Sequence, residues 1–205
     1  MKFQLTSYQT DATADVVNAL DEGFGRFKKI QRLTAVSLSA PTGAGKTVIA
    51  TAVIERLMYG DENTEPNPAL TVLWVTDDPS LNQQTRRKML VASSHLKPAQ
   101  LVTVDASLDQ RALDPGKVYF VHIQQLGRGA TNYVKTGDKR TYSLWDTIAT
   151  TIRERGDNFL MIVDEAHKGT TAKPSGAKTI TAQLMDGPGG AFPPTPVVLG
   201  ISATA

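Results

Sequence analysis

The sequence predicts an α/β domain with a doubly wound, mainly parallel sheet that carries helices on both faces. Short runs rich in β-branched residues alternate with amphipathic segments of helical spacing, the order that builds a parallel sheet. Several runs are apolar almost throughout, as strands buried on both faces of such a sheet are. The connecting loops are short enough for one domain over residues 1–205.

Six strands are predicted along the chain: Leu33–Ala40, Leu70–Thr76, Gln100–Asp105, Lys117–Ile123, Phe159–Asp164 and Val197–Ser202. A first helix is indicated by residues that recur at helical spacing: Tyr8, Ala12, Val16, Leu20, Phe24 and Phe27. The other helix candidates are Thr47–Tyr59, Ser80–Leu90, a segment with Leu144, Ile148 and Ile152 on one face, and Ala177–Met185. Asp78 as N-cap and Pro79 at the first helical position favour a helix start there.

Four segments between these elements are predicted loops: Gly60–Pro68, Gly127–Thr141, Lys168–Pro174 and Gly187–Pro196. Composition limits the possible functions further. The formal net charge of +2 is too small to indicate nucleic-acid binding by itself. The absence of cysteine excludes disulfides and thiolate metal sites. No apolar run of about 18 residues and no signal-peptide pattern is present, so we expect no membrane span and a cytoplasmic location.

Residues 40–47 have the composition of a phosphate-binding loop between a strand and a helix. The loop residues are Thr42, Gly43, Ala44 and Gly45, followed by Lys46 and Thr47. Glycines let backbone N–H groups turn toward phosphate oxygens, and the helix N-terminus adds partial positive charge. Lys46 can reach the β- and γ-phosphates of ATP, and the Thr47 hydroxyl can bind Mg²⁺. The alternative is a glycine-rich turn that only connects a strand to a helix.

A second candidate site lies where the strand Phe159–Asp164 ends in charged residues. Ligands of open α/β sheets bind at the carboxyl ends of strands, so Asp164 is expected to face the phosphate loop and hold Mg²⁺, through water. Glu165 is expected to orient or deprotonate the attacking water, and His167 to sense the γ-phosphate. The alternative is a solvated strand end, although each motif supplies what the other needs for metal-assisted phosphoryl transfer.

Taken together, these segments resemble the motifs of superfamily 2 helicases and translocases. Residues 40–47, the Asp-Glu-Ala-His run 164–167 and the Ser-Ala-Thr run 202–204 look like motifs I, II and III, in the family's order. The resemblance points to the DEAH-like branch and covers nearly the whole chain. It implies a RecA-like P-loop domain that binds ATP and Mg²⁺, in which Ser202 and Thr204 couple the nucleotide state to nucleic-acid grip.

Finer features resemble the motor subunits of type I and type III restriction enzymes. Gln9, beside Tyr8, resembles the adenine-reading glutamine of this superfamily, an amide suited to bidentate pairing with adenine. The strand before Asp78 and Pro79 resembles motif Ia of those motors, and the strand before Gln124 and Gln125 resembles one that contacts nucleic acid. The resemblance makes these four residues, with Arg128 of the following basic loop, candidate nucleic-acid contacts. The alternatives are a plain N-terminal helix residue, a polar strand end and a solvated loop.

The resemblance implies a motor that moves on double-stranded DNA within a restriction or phage-defence system, with subunits of that system as partners. In the family, a second RecA-like domain supplies an arginine finger. Without it, we expect these residues to bind ATP–Mg²⁺ but hydrolyse ATP weakly. Two other functions stay open: a strand-separating helicase or remodelling ATPase, and a regulatory module that uses ATP as a switch. Glu165 argues against the switch, which needs no catalytic base.

Overall fold

A computed structural model describes residues 1–127, 140–165, 179–187 and 192–203. Within these ranges, six strands form one sheet in which every pair is parallel, in the order β1-β6-β5-β2-β4-β3. The strands are β1 Thr34–Ala40, β2 Thr71–Thr76, β3 Leu101–Thr103, β4 Val118–His122, β5 Phe159–Asp164 and β6 Val197–Ala203. The predicted α/β class and parallel sheet are confirmed.

Five α-helices lie among the described residues, and each matches a predicted segment. They are α1 Ser7–Ile30, α2 Lys46–Tyr59, α3 Pro79–Ala92, α4 Leu144–Arg155 and α5 Ile180–Asp186. Side-chain caps explain several of their starts, because the first turn of a helix leaves backbone N–H groups without partners. Thr6 and Gln9 form a reciprocal capping box on α1. Asp78 caps α3 by accepting from the Ser80 N–H at 2.8 Å, as predicted.

The helices cover both faces of the sheet, which confirms the doubly wound arrangement. Side chains alternate along each buried strand, so Trp74 belongs to one core layer and its neighbour Leu73 to the other. The first layer contains apolar residues of α1, α2 and α3, and the second contains those of α4 and α5. No described helix is both long and apolar enough to cross a bilayer.

The predicted boundaries differ from the structure mainly at β3. Gln100, predicted as a strand residue, ends a 3₁₀ turn over Pro98–Gln100, and β3 continues only to Thr103. β3 is the last strand of the described sheet and pairs only with β4, so little pairing is available to extend it. The predicted loop Lys168–Pro174 lies outside the described residues, as do most of Gly127–Thr141 and the middle of Gly187–Pro196.

A buried carboxylate joins α2 to the segment after α3. Glu55 accepts from the Met1 ammonium at 2.6 Å, from the Ser94 N–H at 3.1 Å and from the Ser93 hydroxyl, and it contacts His95 Nδ1 at 3.0 Å. Burial alone raises the pKa of Glu55. The hydrogen bonds from Met1, Ser93 and His95, with the Met1 charge, outweigh burial and lower the pKa from its ordinary value of 4.5 to about 2.

Replacing Glu55 with glutamine is expected to destabilise the fold in a pH-dependent way. Because the folded-state pKa is depressed, the carboxylate contributes its full stability above about pH 4.5 and loses it as the pH falls toward 2. The shift corresponds to about 3 kcal/mol at neutral pH. Urea unfolding of both proteins at pH 7 and near pH 3 tests this. A stability difference that stays constant over that range would contradict the assigned ionisation.

Candidate ATP-binding site

The two predicted motifs meet at the carboxyl end of the sheet. β1 leads into residues 41–45, β5 ends at Asp164, and β6 lies between these two strands. The pairing register places the end of β1 two residues beyond the end of β5, since Ala40 is opposite Ala203 and Asp164 is opposite Ile201. With about 4.8 Å between neighbouring strands and about 3.3 Å per residue along them, the ends of β1 and β5 are about 12 Å apart. A long side chain can cover much of that distance.

The loop after β1 has a backbone that glycine allows. Gly43 and Gly45 have φ of 86° and 85°, and Gly45 is the N-cap of α2. The Ala44 N–H donates to the Pro41 carbonyl at 3.1 Å, which closes a tight turn. Thr42 and Gly43 are exposed, whereas Lys46 and Thr47 are half-buried in the first turn of α2. The loop therefore presents backbone N–H groups and a helix N-terminus, the arrangement that binds phosphate.

The Lys46 ammonium lies against the end of β1. Its Nζ donates to the Ala40 carbonyl at 3.1 Å and to the Pro41 carbonyl at 3.4 Å. Both acceptors are neutral carbonyls, and no carboxylate within the described ranges is hydrogen-bonded to the ammonium. The positive charge stays available to an anion that approaches the loop.

Gln9 connects α1 to the phosphate loop. Its Oε1 accepts from the Thr6 N–H at 3.2 Å, and its Nε2 donates to the Ala44 carbonyl at 3.2 Å. The side chain therefore spans from the first turn of α1 to the middle of the loop. This contact puts the predicted adenine-reading residue beside the predicted phosphate site.

The close approach of Gln9 to Gly45 gives a prediction with a matched control. A Cβ at Gly45 would lie 2.5 Å from Gln9 Nε2, whereas a Cβ at Gly43 would have no neighbour within 4 Å. Gly43→Ala and Gly45→Ala are each expected to lose about 1–2 kcal/mol of stability, because alanine is strained in a left-handed backbone conformation. Gly45→Ala also displaces Gln9 and loses its hydrogen bond to Ala44, which costs about 1 kcal/mol more.

Urea unfolding of both variants without nucleotide measures this difference. The additional loss of stability in Gly45→Ala relative to Gly43→Ala should disappear when Gln9 is also replaced by alanine in both variants. An excess that persisted without Gln9 would show that another contact restricts Gly45.

Asp164 and Glu165 are half-buried and adjacent at the end of β5. Burial raises the pKa of Asp164 above its ordinary value, and the Glu165 charge raises it further. The Glu165 N–H, which donates to Asp164 Oδ1 at 3.1 Å, the Lys46 ammonium and the Trp74 indole act in the opposite direction. The Lys46 charge therefore favours the ionised form of the Asp164 carboxylate.

Glu165 has a left-handed backbone, with φ of 54°. Such a conformation is uncommon for a residue other than glycine and is often found at functional sites. Beside it, Asp77, Asp164 and Glu165 contribute to the wall of a cavity of about 90 Å³ between the ends of β2 and β5. A water molecule occupies about 10–15 Å³ of such volume, so the cavity can hold several.

The oxygen donors present are of the kind that Mg²⁺ accepts. Magnesium prefers oxygen ligands and is commonly held by one or two protein groups together with phosphate oxygens and water. Asp164, at the end of β5, and Thr47, in the first turn of α2, supply a carboxylate and a hydroxyl. The described residues contain no cluster of three or more acidic, histidine or cysteine side chains that could enclose an ion by themselves.

Ser202 lies beside the strand that leads into the phosphate loop. Its hydroxyl is 3.4 Å from that of Ser39, its register partner on β1. The predicted coupling residue is therefore in contact with the loop-bearing strand. Thr204, His167 and Arg128 lie outside the described residues, so their predicted roles stay predictions.

The candidate nucleic-acid contacts divide into exposed and buried residues. Asp78, Pro79 and Gln124 are exposed at the carboxyl end of the sheet, although Asp78 also caps α3. Gln125 is only 4% exposed. Its Oε1 accepts from the His122 N–H at 3.0 Å, and its Nε2 donates to the Val104 carbonyl at 2.7 Å. Gln125 is therefore unsuited to contact nucleic acid, because burial and internal hydrogen bonds occupy its amide.

Arg140, from the predicted basic loop, is also an internal residue. It is 7% exposed and donates to the carbonyls of Tyr142, Leu108 and Ala106 at 2.5, 2.5 and 3.4 Å. It fastens the segment before α4 to the turn after β3. Arg140 is therefore neither a nucleic-acid contact nor a solvated charge, the two alternatives for this loop.

Two neighbours of the site, Ser39 and Trp74, were not predicted from the sequence. Both lie inside strands, where they have the composition of ordinary strand residues. Their proximity to Ser202 and Asp164 depends on strand order and register, which a pattern along the chain does not specify.

The fold and loop define the class of the protein as a P-loop nucleotide-binding domain. The family model described as "Type III restriction enzyme, res subunit" matches residues 2–205. The chain therefore belongs to that family, and it is a helicase-family ATP-binding domain of the RecA-like kind. No curated protein matches the chain.

Proposed function

We propose that this domain hydrolyses ATP to drive movement along double-stranded DNA, within a restriction or phage-defence system. The observation that carries the proposal is the convergence of Lys46 with Asp164 and Glu165 at one end of the sheet. The Lys46 charge opposes the rise in the pKa of Asp164 that burial causes, and Glu165 follows Asp164 directly. The family description supports the restriction context.

In the proposed reaction, the backbone N–H groups of residues 42–47 bind the phosphates, and Lys46 contacts the β- and γ-phosphates. Gln9 pairs with the adenine edge. Thr47 and Asp164 would hold Mg²⁺, Asp164 through water, and the bound ion would neutralise the charge that develops on the transferred phosphoryl group. Glu165 orients the attacking water and accepts its proton, a role suited to its place beside the small cavity.

Coupling to nucleic acid is proposed to pass through the neighbouring strand ends. Ser202 contacts Ser39 on the strand that leads into the loop, so nucleotide-dependent movement of the loop can reach β6. Asp78, Pro79 and Gln124, exposed at the same end of the sheet, are the proposed nucleic-acid contacts. The roles proposed for Thr204, His167 and Arg128 rest on the family resemblance alone. A second RecA-like domain would supply the arginine finger.

ATP hydrolysis by the full-length protein, measured with and without duplex DNA, tests the proposal. We expect duplex DNA to stimulate hydrolysis and a labelled duplex to remain double-stranded. Strand separation would identify an unwinding helicase instead. ATP binding with no response to any nucleic acid would identify the regulatory switch.

A further inference from the structure

The indole of Trp74 is fully buried in the middle of β2, and its Nε1 is a buried hydrogen-bond donor. Trp74 is 0% exposed and contacts Phe120 through its ring, with centroids 6.2 Å apart. Among the residues that the structure describes, its Nε1 forms no hydrogen bond of ordinary length and angle. Buried tryptophans usually pair their N–H, because leaving a donor unsatisfied costs about 1–3 kcal/mol. An acceptor for this buried N–H is therefore expected nearby.

Strand register puts Trp74 on the face of the sheet that carries the proposed metal ligand. Trp74 is the partner of Ile162 on the adjacent strand β5, and both side chains belong to the core layer beneath α1, α2 and α3. Asp164, two residues after Ile162, projects to the same face. Trp74 and Asp164 are therefore separated by two residues along the strand direction and by one strand spacing across the sheet. The distance between their Cα atoms is about 8 Å, which an indole can largely span.

The electrostatics agree with this placement. Burial and the Glu165 charge raise the pKa of Asp164, and Trp74 is among the groups that lower it, so its donor favours the ionised carboxylate. Trp145, the other tryptophan of the sequence, behaves differently. Its Nε1 donates to the Leu126 carbonyl at 3.1 Å, and its ring packs against Phe192 in the second core layer.

We propose that Trp74 is a positioning residue whose indole N–H fixes the orientation of the Asp164 carboxylate for binding Mg²⁺ with ATP. The inference rests on the proposed function, since it assumes that Asp164 takes part in metal binding. Outer-shell donors of this kind hold a ligand in its binding geometry, and removing one typically costs 10–100-fold in metal affinity or activity. Trp74, which is fully buried, thus acts through Asp164.

The test measures how much Mg²⁺ the chain needs to bind a fluorescent ATP analogue, by anisotropy with direct excitation of the label. Trp74→Phe removes the donor. Replacement of Trp74 by benzothienylalanine removes the N–H but keeps the shape of the indole, which separates donor loss from a packing defect. Trp145→Phe is the matched control. We expect both Trp74 variants to need at least about tenfold more Mg²⁺, with unchanged affinity for the analogue in EDTA.

Asp164→Asn separates the two proposals. If it raises the Mg²⁺ requirement and the benzothienylalanine variant does not, the positioning role of Trp74 is overturned and the metal site stands. If Asp164→Asn leaves the Mg²⁺ requirement unchanged, the proposed metal site fails, and the role of Trp74 fails with it. Equal loss of binding with and without Mg²⁺ in both Trp74 variants would identify Trp74 as a packing residue only.

Discussion

Replacing Glu165 with glutamine is expected to lower ATP hydrolysis by the full-length protein by a factor of about 10²–10⁴, the usual contribution of a general base. Glutamine keeps nearly the shape of the side chain but cannot accept the proton of the attacking water. Binding of ATP with Mg²⁺ should stay within a few-fold of the parent, because the phosphates are held by the loop and Lys46. Single-turnover hydrolysis and equilibrium binding, measured on the same preparation, separate the two effects.

Glu62→Gln is the matched control, since Glu62 is exposed in the loop after α2, away from the carboxyl end of the sheet. It should hydrolyse ATP at the parent rate. If Glu165→Gln turned over ATP like Glu62→Gln, the catalytic role of Glu165 would be wrong. The unusual backbone of Glu165 would then need another explanation.

The second large effect is expected at Lys46. Lys46→Ala should weaken ATP binding by about 10–100-fold, since hydrogen bonds to charged groups contribute about 1.5–3 kcal/mol. The ammonium of Lys46 already donates to the Ala40 and Pro41 carbonyls, so it is held at the mouth of the loop. Calorimetric titration with ATP and with AMP measures the effect and locates it. AMP lacks the β- and γ-phosphates, so its affinity should be unchanged.

Lys88→Ala serves as the control, because Lys88 is exposed on α3 and outside the proposed phosphate site. A loss of AMP binding equal to that of ATP would indicate that Lys46→Ala disturbs the whole loop. An unchanged ATP affinity would remove Lys46 from the phosphate site.

Local patterns were enough to predict the elements that build the site. An apolar run followed by two carboxylates predicts β5 with Asp164 and Glu165 at its end, and the Gly-x-Gly-Lys-Thr run predicts the loop. Their meeting follows from the rule that ligands bind at the carboxyl ends of parallel strands. The structure adds the strand order, with β6 between β1 and β5, which the predicted strands alone left open.

Features that depend on turns or on distant contacts could not be predicted in this way. Gln124 is exposed and Gln125 buried because the chain leaves β4 through a 3₁₀ turn over Ile123–Leu126. Arg140 is buried by carbonyls that lie 32 and 34 residues earlier. The partners of Glu55 come from Met1 and from the segment after α3, while its own position in the sequence resembles an ordinary helix residue.

A structure of the protein with Mg²⁺ and a non-hydrolysable ATP analogue tests the central claim most directly. The account predicts phosphate oxygens within hydrogen-bonding distance of Lys46 Nζ and a magnesium ion about 2.1 Å from the Thr47 hydroxyl, with Asp164 reaching it through water. It also predicts the Glu165 carboxylate on the far side of the γ-phosphate, facing the attacking water. A nucleotide bound away from residues 42–47, or a metal ion with no link to Asp164, would contradict the account.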